Sequence, residues 1–172
     1  MLPLRSAPAA TASGGAGPVD LEWHKDYEAA WKQAVQEDKL LFIDFTGVNC
    51  TNCRDNEKRV FPRQDVRHEL ERYVRVQLYN DSVPKRGLSD KEAKEQALRN
   101  RDWQEKTFGD VSTPLYIVFR PAKDKPFTDD GKLNGRTLYQ QGGKIFDNQI
   151  EEFVGKLKGA LNGQVAQALP PP

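Results

Sequence analysis

The sequence predicts an α/β fold in which a mixed β-sheet carries helices on both faces. Three observations predict it. Two short apolar runs, residues 40–45 and 115–119, have the length of buried strands and are bounded by turn-forming pairs, Thr46-Gly47 and Thr113-Pro114. Stretches with apolar residues at helical spacing lie before, between and after them. A further segment, 73–79, alternates apolar with polar side chains as a half-buried strand does.

Each element can be justified in order. Tyr27, Trp31, Ala34 and Val35 fall at i, i+4, i+7 and i+8, so residues 26–37 form an amphipathic helix with Asp26 as N-cap. Residues 40–45 make a central strand. A polar helix begins near Cys50 and stops by Phe61-Pro62, because proline excludes helical backbone in the residue before it. Val66, Leu70 and Tyr73 mark another helix, followed by the strand 73–79. Residues 82–106 are mostly charged, with a thin apolar face of Ala93, Ala97 and Trp103, and read as a solvated helical insertion. A strand at 115–119 follows. Asp130-Gly131 and Asn134-Gly135 then flank a hairpin, with 137–141 as the returning strand. Phe146, Ile150, Phe153, Val154, Leu157 and Leu161 share one face of a last helix.

Composition narrows the function. With 26 basic and 25 acidic side chains the chain is close to neutral, which removes the electrostatic case for nucleic acid as a partner. No run reaches the 18 or so apolar residues of a membrane span, and two cysteines cannot staple a disulfide-rich scaffold. A chain of 172 residues that is 37% hydrophobic can build one core. Residues 1–18, rich in Ala, Pro, Gly and Ser, read as a flexible linker, and 164–172 as a flexible tail, leaving one domain over 19–163. The linker lacks the apolar run of a signal peptide and has the composition of a tether within a longer chain.

The chemistry concentrates at Cys50-Thr51-Asn52-Cys53. A Cys-x-x-Cys directly after a buried strand, and opening a helix, puts the first sulfur where unpaired N–H groups and the helix dipole stabilise a thiolate. Cys50 is then the nucleophile, with its pKa below the ordinary 8.5 or so. Cys53, one turn into the helix, can resolve the mixed disulfide that Cys50 forms. Two other readings remain open on residues alone. A zinc site would need His24 and His68 to complete the two thiolates, and both histidines stand isolated. An inert disulfide would close too small a loop to stabilise much.

Asp44-Phe45 ahead of Cys50 and Cys53, with Thr113-Pro114 before a strand, resembles the thioredoxin superfamily over roughly residues 21–161. More closely, the run Phe45, Thr46, Gly47, Val48, Asn49, Cys50, Thr51, Asn52, Cys53, Arg54 is similar to the C-terminal thioredoxin-like domain of DsbD-type thiol:disulfide interchange proteins, and to relatives in envelope redox and cytochrome c biogenesis systems. The resemblance implies a thioredoxin fold with a cis-proline loop, and the helical insertion 82–106 departs from it by sitting before that loop. It implies dithiol–disulfide exchange with protein partners, without a dissociable cofactor or metal. It also implies an extracytoplasmic, periplasmic location and a monomeric domain, tethered to the membrane in a longer chain. That domain takes electrons from a membrane reductase domain upstream and passes them to envelope redox proteins.

Site residues follow from the resemblance one by one. Cys50 and Cys53 match the attacking and resolving cysteines. Asp44 matches the buried acid beneath the site, and Glu57 a second acid of the DsbD-type domain. Pro114 matches the cis-proline, and Thr113 the residue whose backbone pairs with the substrate. An ionised Asp44 inside an apolar run would be costly, so burial should raise its pKa and make it a proton acceptor for Cys53. Strand alternation could instead turn it to solvent. Glu57 shares a helix face with Cys53 and Val60, which draws it inward, or it pairs on the surface with Lys58 or Arg54.

The sequence also departs from ordinary thioredoxins. Asn49 replaces a tryptophan, Thr46 another aromatic, Thr51-Asn52 the usual Gly-Pro, and Gln77 a lysine near the buried acid. These differences weaken the general thioredoxin reading and favour a specialised electron carrier. A cytosolic-type thioredoxin, a disulfide isomerase and a non-catalytic binding module stay open as alternatives, the last opposed by intact Cys50, Cys53 and Pro114.

Overall fold

A computed structural model describes residues 20–84 and 87–163. The linker and tail expected at 1–18 and 164–172 lie outside the described residues, as do Lys85 and Arg86. The chain runs α1 (Tyr27–Glu37), β1 (Leu41–Thr46), α2 (Thr51–Arg59), α3 (Gln64–Leu70), β2 (Val74–Tyr79), α4 (Asp90–Phe108), β3 (Leu115–Pro121), β4 (Gly135–Gly142) and α5 (Ile150–Leu161). That is the order the sequence predicts.

The strands form one mixed sheet in the order β2-β1-β3-β4. β1 pairs parallel with β2 and antiparallel with β3, and β3 pairs antiparallel with β4. Helices cover both faces, so β1 is buried at all six positions, which is why it reads as a nearly unbroken apolar run. Strand alternation sorts its side chains. Leu41, Ile43 and Phe45 pack with Tyr27, Ala30 and Ala34 of α1 and, at the edge, with Trp103 and Phe108 of α4. Phe42 faces the other way, into a cluster with Val60, Phe61, Val66, Leu70 and Phe153 from the α2, α3 and α5 side. Asp44 has the parity of Phe42 and so lies on the face that α2 covers.

Local chemistry sets the ends of the helices. Asp26 caps α1 by accepting from the Ala29 N–H at 2.9 Å. Ser89 and Glu92 form a reciprocal capping box at the start of α4.

Three details differ from the sequence expectation. First, the segment read as a solvated insertion contributes a sheet-covering helix: Ala93, Ala97, Asn100 and Gln104 of α4 are buried. The Asn100 side chain donates to Tyr79 O at 2.8 Å and that of Gln104 to Ser112 O at 2.7 Å. Polar residues at inward positions hid this face from a reading based on apolar periodicity. Second, Phe146 is 55% exposed and precedes α5, because a short 3-10 turn over Asp147–Gln149 bends the chain first. Third, Asn134-Gly135 is the entry to β4 and not a turn; the turn falls at Asp130-Gly131, between the bridged pair Phe127 and Leu133.

Candidate redox active site

β1 ends at Thr46, and residues 47–50 carry the chain from the sheet to α2. Cys50 is the N-cap of α2, with its Sγ accepting from the Cys53 N–H at 3.2 Å. Cys50 and Cys53 are joined in a disulfide with Cα atoms 5.2 Å apart. Cys50 is partly exposed, whereas Cys53 is buried to 1% exposure. One sulfur meets solvent at a helix N-terminus and the other is shielded one turn in, the asymmetry that attack and resolution require.

Asp81 holds the loop in place. Its carboxylate accepts the Val48 N–H at 2.9 Å and the Asn49 N–H at 3.0 Å, just ahead of Cys50. Burial works against this charge, but the N–H groups of Asn49, Val48 and Ser82 outweigh it and hold the carboxyl below the usual range. Gly47 makes the approach feasible, because a Cβ there would stand 2.8 Å from Asp81 Oδ2. Asn56 fixes the other side. It is fully buried in α2, donates to Tyr116 OH at 2.9 Å and Gly143 O at 3.2 Å, and accepts the Ile145 N–H at 3.0 Å. Gly143 N–H in turn donates to Pro114 O at 2.9 Å, so Asn56 connects the cysteine helix to the loop before β3. The Thr113-Pro114 bond is cis, as the resemblance implies, and Pro114 is buried while Thr113 is partly exposed. Because Leu115 pairs with Phe45, this bond lies at the same end of the sheet as the loop to Cys50.

Asp44 is buried to 1% exposure on the α2 side of the sheet, which settles the strand-face question against solvent. Gln77 and Tyr116 are its register partners on β2 and β3 and share its face. Gln77 Nε2 donates to Asp44 Oδ2 at 3.2 Å, and Oδ1 has no hydrogen-bond partner among the described residues. Burial pushes the Asp44 carboxyl up to about 7, against the lowering effect of the Gln77 bond, with the Glu57 charge adding to the rise. The partnerless Oδ1 is the natural seat of the proton, since an ionised oxygen there would lack any donor.

Glu57 is half-buried, and both sequence readings of it hold in part. It pairs with Arg54 at 2.9 Å, and it also turns inward to accept from Gln77 Nε2 at 3.2 Å. Burial raises its carboxyl, and Arg54 and Lys25 partly oppose that rise. Arg54 also donates to Thr46 Oγ1 at 2.8 Å and lies over the Tyr79 ring at 5.8 Å. Glu57 and Asp44 thus share one amide beneath the helix that carries Cys53.

The two sulfurs bond to each other, and His24 Nε2 is engaged with Gln33 Oε1 at 2.5 Å. Among the described residues no group of three or more His, Cys, Asp or Glu side chains could hold a metal ion. No helix among them is long and apolar enough to cross a membrane.

A mixed sheet flanked by helices, a Cys-x-x-Cys disulfide at the first turn of the helix after the central strand, and a cis-proline at the same end of the sheet define a thioredoxin-like oxidoreductase fold. The family model described as thioredoxin-like matches residues 22–121, and the chain belongs to that family. No curated protein matches the sequence. Among solved structures, the chain is similar to a thioredoxin from Thermus thermophilus at a TM-score of 0.58 and 18% identity, covering 85% of this chain and 91% of that one. It is similar to the oxidoreductase DsbH at 0.56 and 15% identity, covering 89% and 95%. The oxidised C-terminal domain of DsbD from Neisseria meningitidis matches at 0.50 and 17% identity, covering 78% and 99%. At such identities the likeness is one of fold.

The sequence reading missed Asp81, Asn56 and Lys25. Asn56 had a usable signal. Cys53, Asn56 and Val60 fall at i, i+3 and i+7, the face test already applied to Glu57.

Proposed function

We propose that the protein is a thiol–disulfide reductase, an electron relay acting on protein disulfides in the cell envelope. The observation that carries this reading is the pairing of an accessible Cys50 at the α2 N-terminus with a shielded Cys53 above a buried acid whose carboxyl titrates near neutrality. In the reduced protein the Cys50 thiolate attacks one sulfur of a partner disulfide. The partner's other sulfur leaves as a thiolate and takes a proton from water. Cys53 then gives its proton to Asp44 and attacks Cys50 Sγ, closing the Cys50–Cys53 disulfide and releasing the second partner sulfur as a thiolate, which takes a proton from water. Two electrons pass to the partner. Glu57 tunes the charge around Asp44, and the Thr113 backbone beside Pro114 pairs with the extended partner segment. Envelope placement is supported by the likeness of residues 45–54 to DsbD-type domains, and makes a membrane-embedded reductase the donor class and envelope redox proteins the acceptor class.

The test is the reduction potential, measured by equilibration in glutathione or dithiothreitol buffers with thiol counting. A value between those of thioredoxin (about −270 mV) and the glutaredoxins (about −200 to −230 mV) is expected. A value near −120 mV would make the protein an oxidant and reverse the direction. Cys53→Ser is expected to accumulate a mixed disulfide through Cys50, and Cys50→Ser to exchange with nothing.

A further inference from the structure

The segment before α1 reaches the acid pair. His24 bridges Val76 in parallel, with the Gln77 N–H donating to His24 O at 2.8 Å, so this segment runs along the outer edge of β2. Trp23 stacks on Phe61 at 5.6 Å, and Gln96 of α4 donates to Lys25 O at 3.0 Å. Lys25 is thereby delivered to Gln77, where its ammonium donates to Gln77 Oε1. It also lies over the Tyr79 ring at 5.2 Å.

This contact settles which way the amide points. An ammonium has only donors, so the Gln77 atom facing Lys25 must be the oxygen. The amide nitrogen then has two hydrogens for two acceptors, Asp44 Oδ2 and Glu57 Oε1, each at 3.2 Å. With Lys25 in place every Gln77 polar atom is used. Without it, the Gln77 oxygen loses the Lys25 donor, and only the two 3.2 Å bonds to the carboxylates hold the amide in this orientation.

We propose that Lys25 is a positioning residue of the redox site: it clamps the Gln77 amide in the one orientation that serves Asp44 and Glu57 together. This deepens the reductase reading, because Asp44 is the group proposed to take the Cys53 proton. The lysine expected near the buried acid has not been lost with Gln77. Its charge comes instead from another part of the chain and bears on both carboxyls, beside its bond to the amide. The ionisable groups facing Asp44 are Glu57 and Arg54 from α2, Tyr79 from β2, Tyr116 from β3 and Lys25, together with Cys53 once reduced.

The test follows the Asp44 side-chain carboxyl carbon by NMR across a pH titration of the oxidised protein, beside the pH profile of disulfide exchange by the reduced protein. Lys25→Met, which keeps the stem and removes the charge, is expected to move the Asp44 midpoint upward by about half a unit or more, a threefold change in proton affinity. Lys25→Arg is expected to hold it near the wild-type value. In a Gln77→Met background the Lys25→Met shift is expected to fall below half its size. An unmoved midpoint in folded Lys25→Met, or a shift undiminished in the Gln77→Met background, would overturn the clamp. If Lys25→Met does not fold, Lys25→Gln supplies the neutral variant. Should the wild-type protein exchange no disulfides at any pH, the reductase reading falls, while the carboxyl titration still decides the role of Lys25.

Discussion

Asp44 should destabilise the protein at neutral pH, and by an amount large enough to measure. Burial raises its carboxyl from 3.8 to about 7, so the folded state prefers the protonated acid. The sign follows from linkage: the stability this group contributes is complete below about pH 4 and is lost as pH rises through about 7. The two values differ by about three units, and each unit is worth about 1.4 kcal/mol, so the loss above pH 8 approaches 4 kcal/mol. Asp44→Asn is neutral at every pH and escapes this loss. Its amide puts two N–H groups where the protonated acid has one O–H at the partnerless Oδ1, and the additional unpaired donor costs about 1–3 kcal/mol at every pH. Urea unfolding of the oxidised wild type and variant at pH 4, 5.5, 7 and 8.5 compares the two directly. The variant is expected to be the less stable protein at pH 4 and the more stable one at pH 8.5. Groups that titrate alike in both proteins cancel. Parallel stability curves, with a constant gap across this range, would refute the raised carboxyl and the proton-acceptor role built on it.

Two further substitutions probe the scaffold around the cysteines. Asp81→Ala removes the acceptor for the Val48 and Asn49 N–H groups and should cost about 1 kcal/mol in urea unfolding, since water can reach this exposed loop. Gly47→Ala should destabilise the wild type by a similar amount through its 2.8 Å approach to Asp81 Oδ2, yet have little effect in the Asp81→Ala background. Asn56→Ala leaves buried partners at Tyr116 and Ile145 and a partly buried one at Gly143, and is expected to cost about 3 kcal/mol; a loss under 1 kcal/mol would mean that Asn56 does not anchor α2.

Much of the fold could be read from the chain because each element signals itself over a short distance. A buried strand reads as an apolar run, an amphipathic helix as a period, and a Cys-x-x-Cys at their junction as a redox pair. Asp44 belonged to this group: a lone charge within the apolar run 40–45 is conspicuous, and only its face was open. The residues that escaped act over long separations. Asp81 stands 32 and 33 positions from the amides it holds, Lys25 stands 52 from Gln77, and Asn56 up to 89 from its partners. In sequence, Asp81 is an ordinary turn residue, Lys25 one of 26 basic side chains, and Asn56 a polar residue in a polar helix. The same limit explains α4, whose inward Asn100 and Gln104 gave no apolar period although both are buried and bond to backbone carbonyls of neighbouring segments.

The contact between Lys25 and Gln77 bears on one physical problem. A carboxyl that titrates near neutrality needs burial to raise it and some donor to keep it from rising out of reach. Here β1 supplies the burial, Gln77 the moderating donor and Lys25 the charge behind that donor. A lysine placed directly on Asp44 would form an ion pair and hold the acid ionised, as a neighbouring cation lowers a carboxyl by one to three units. Interposing an amide keeps the cation at one remove. Its charge lowers both carboxyls from that distance, while its bond to Gln77 holds the amide they share. Under the proposed reading, the proton affinity of Asp44 is set by a two-part device, Gln77 on β2 and Lys25 on the segment before α1.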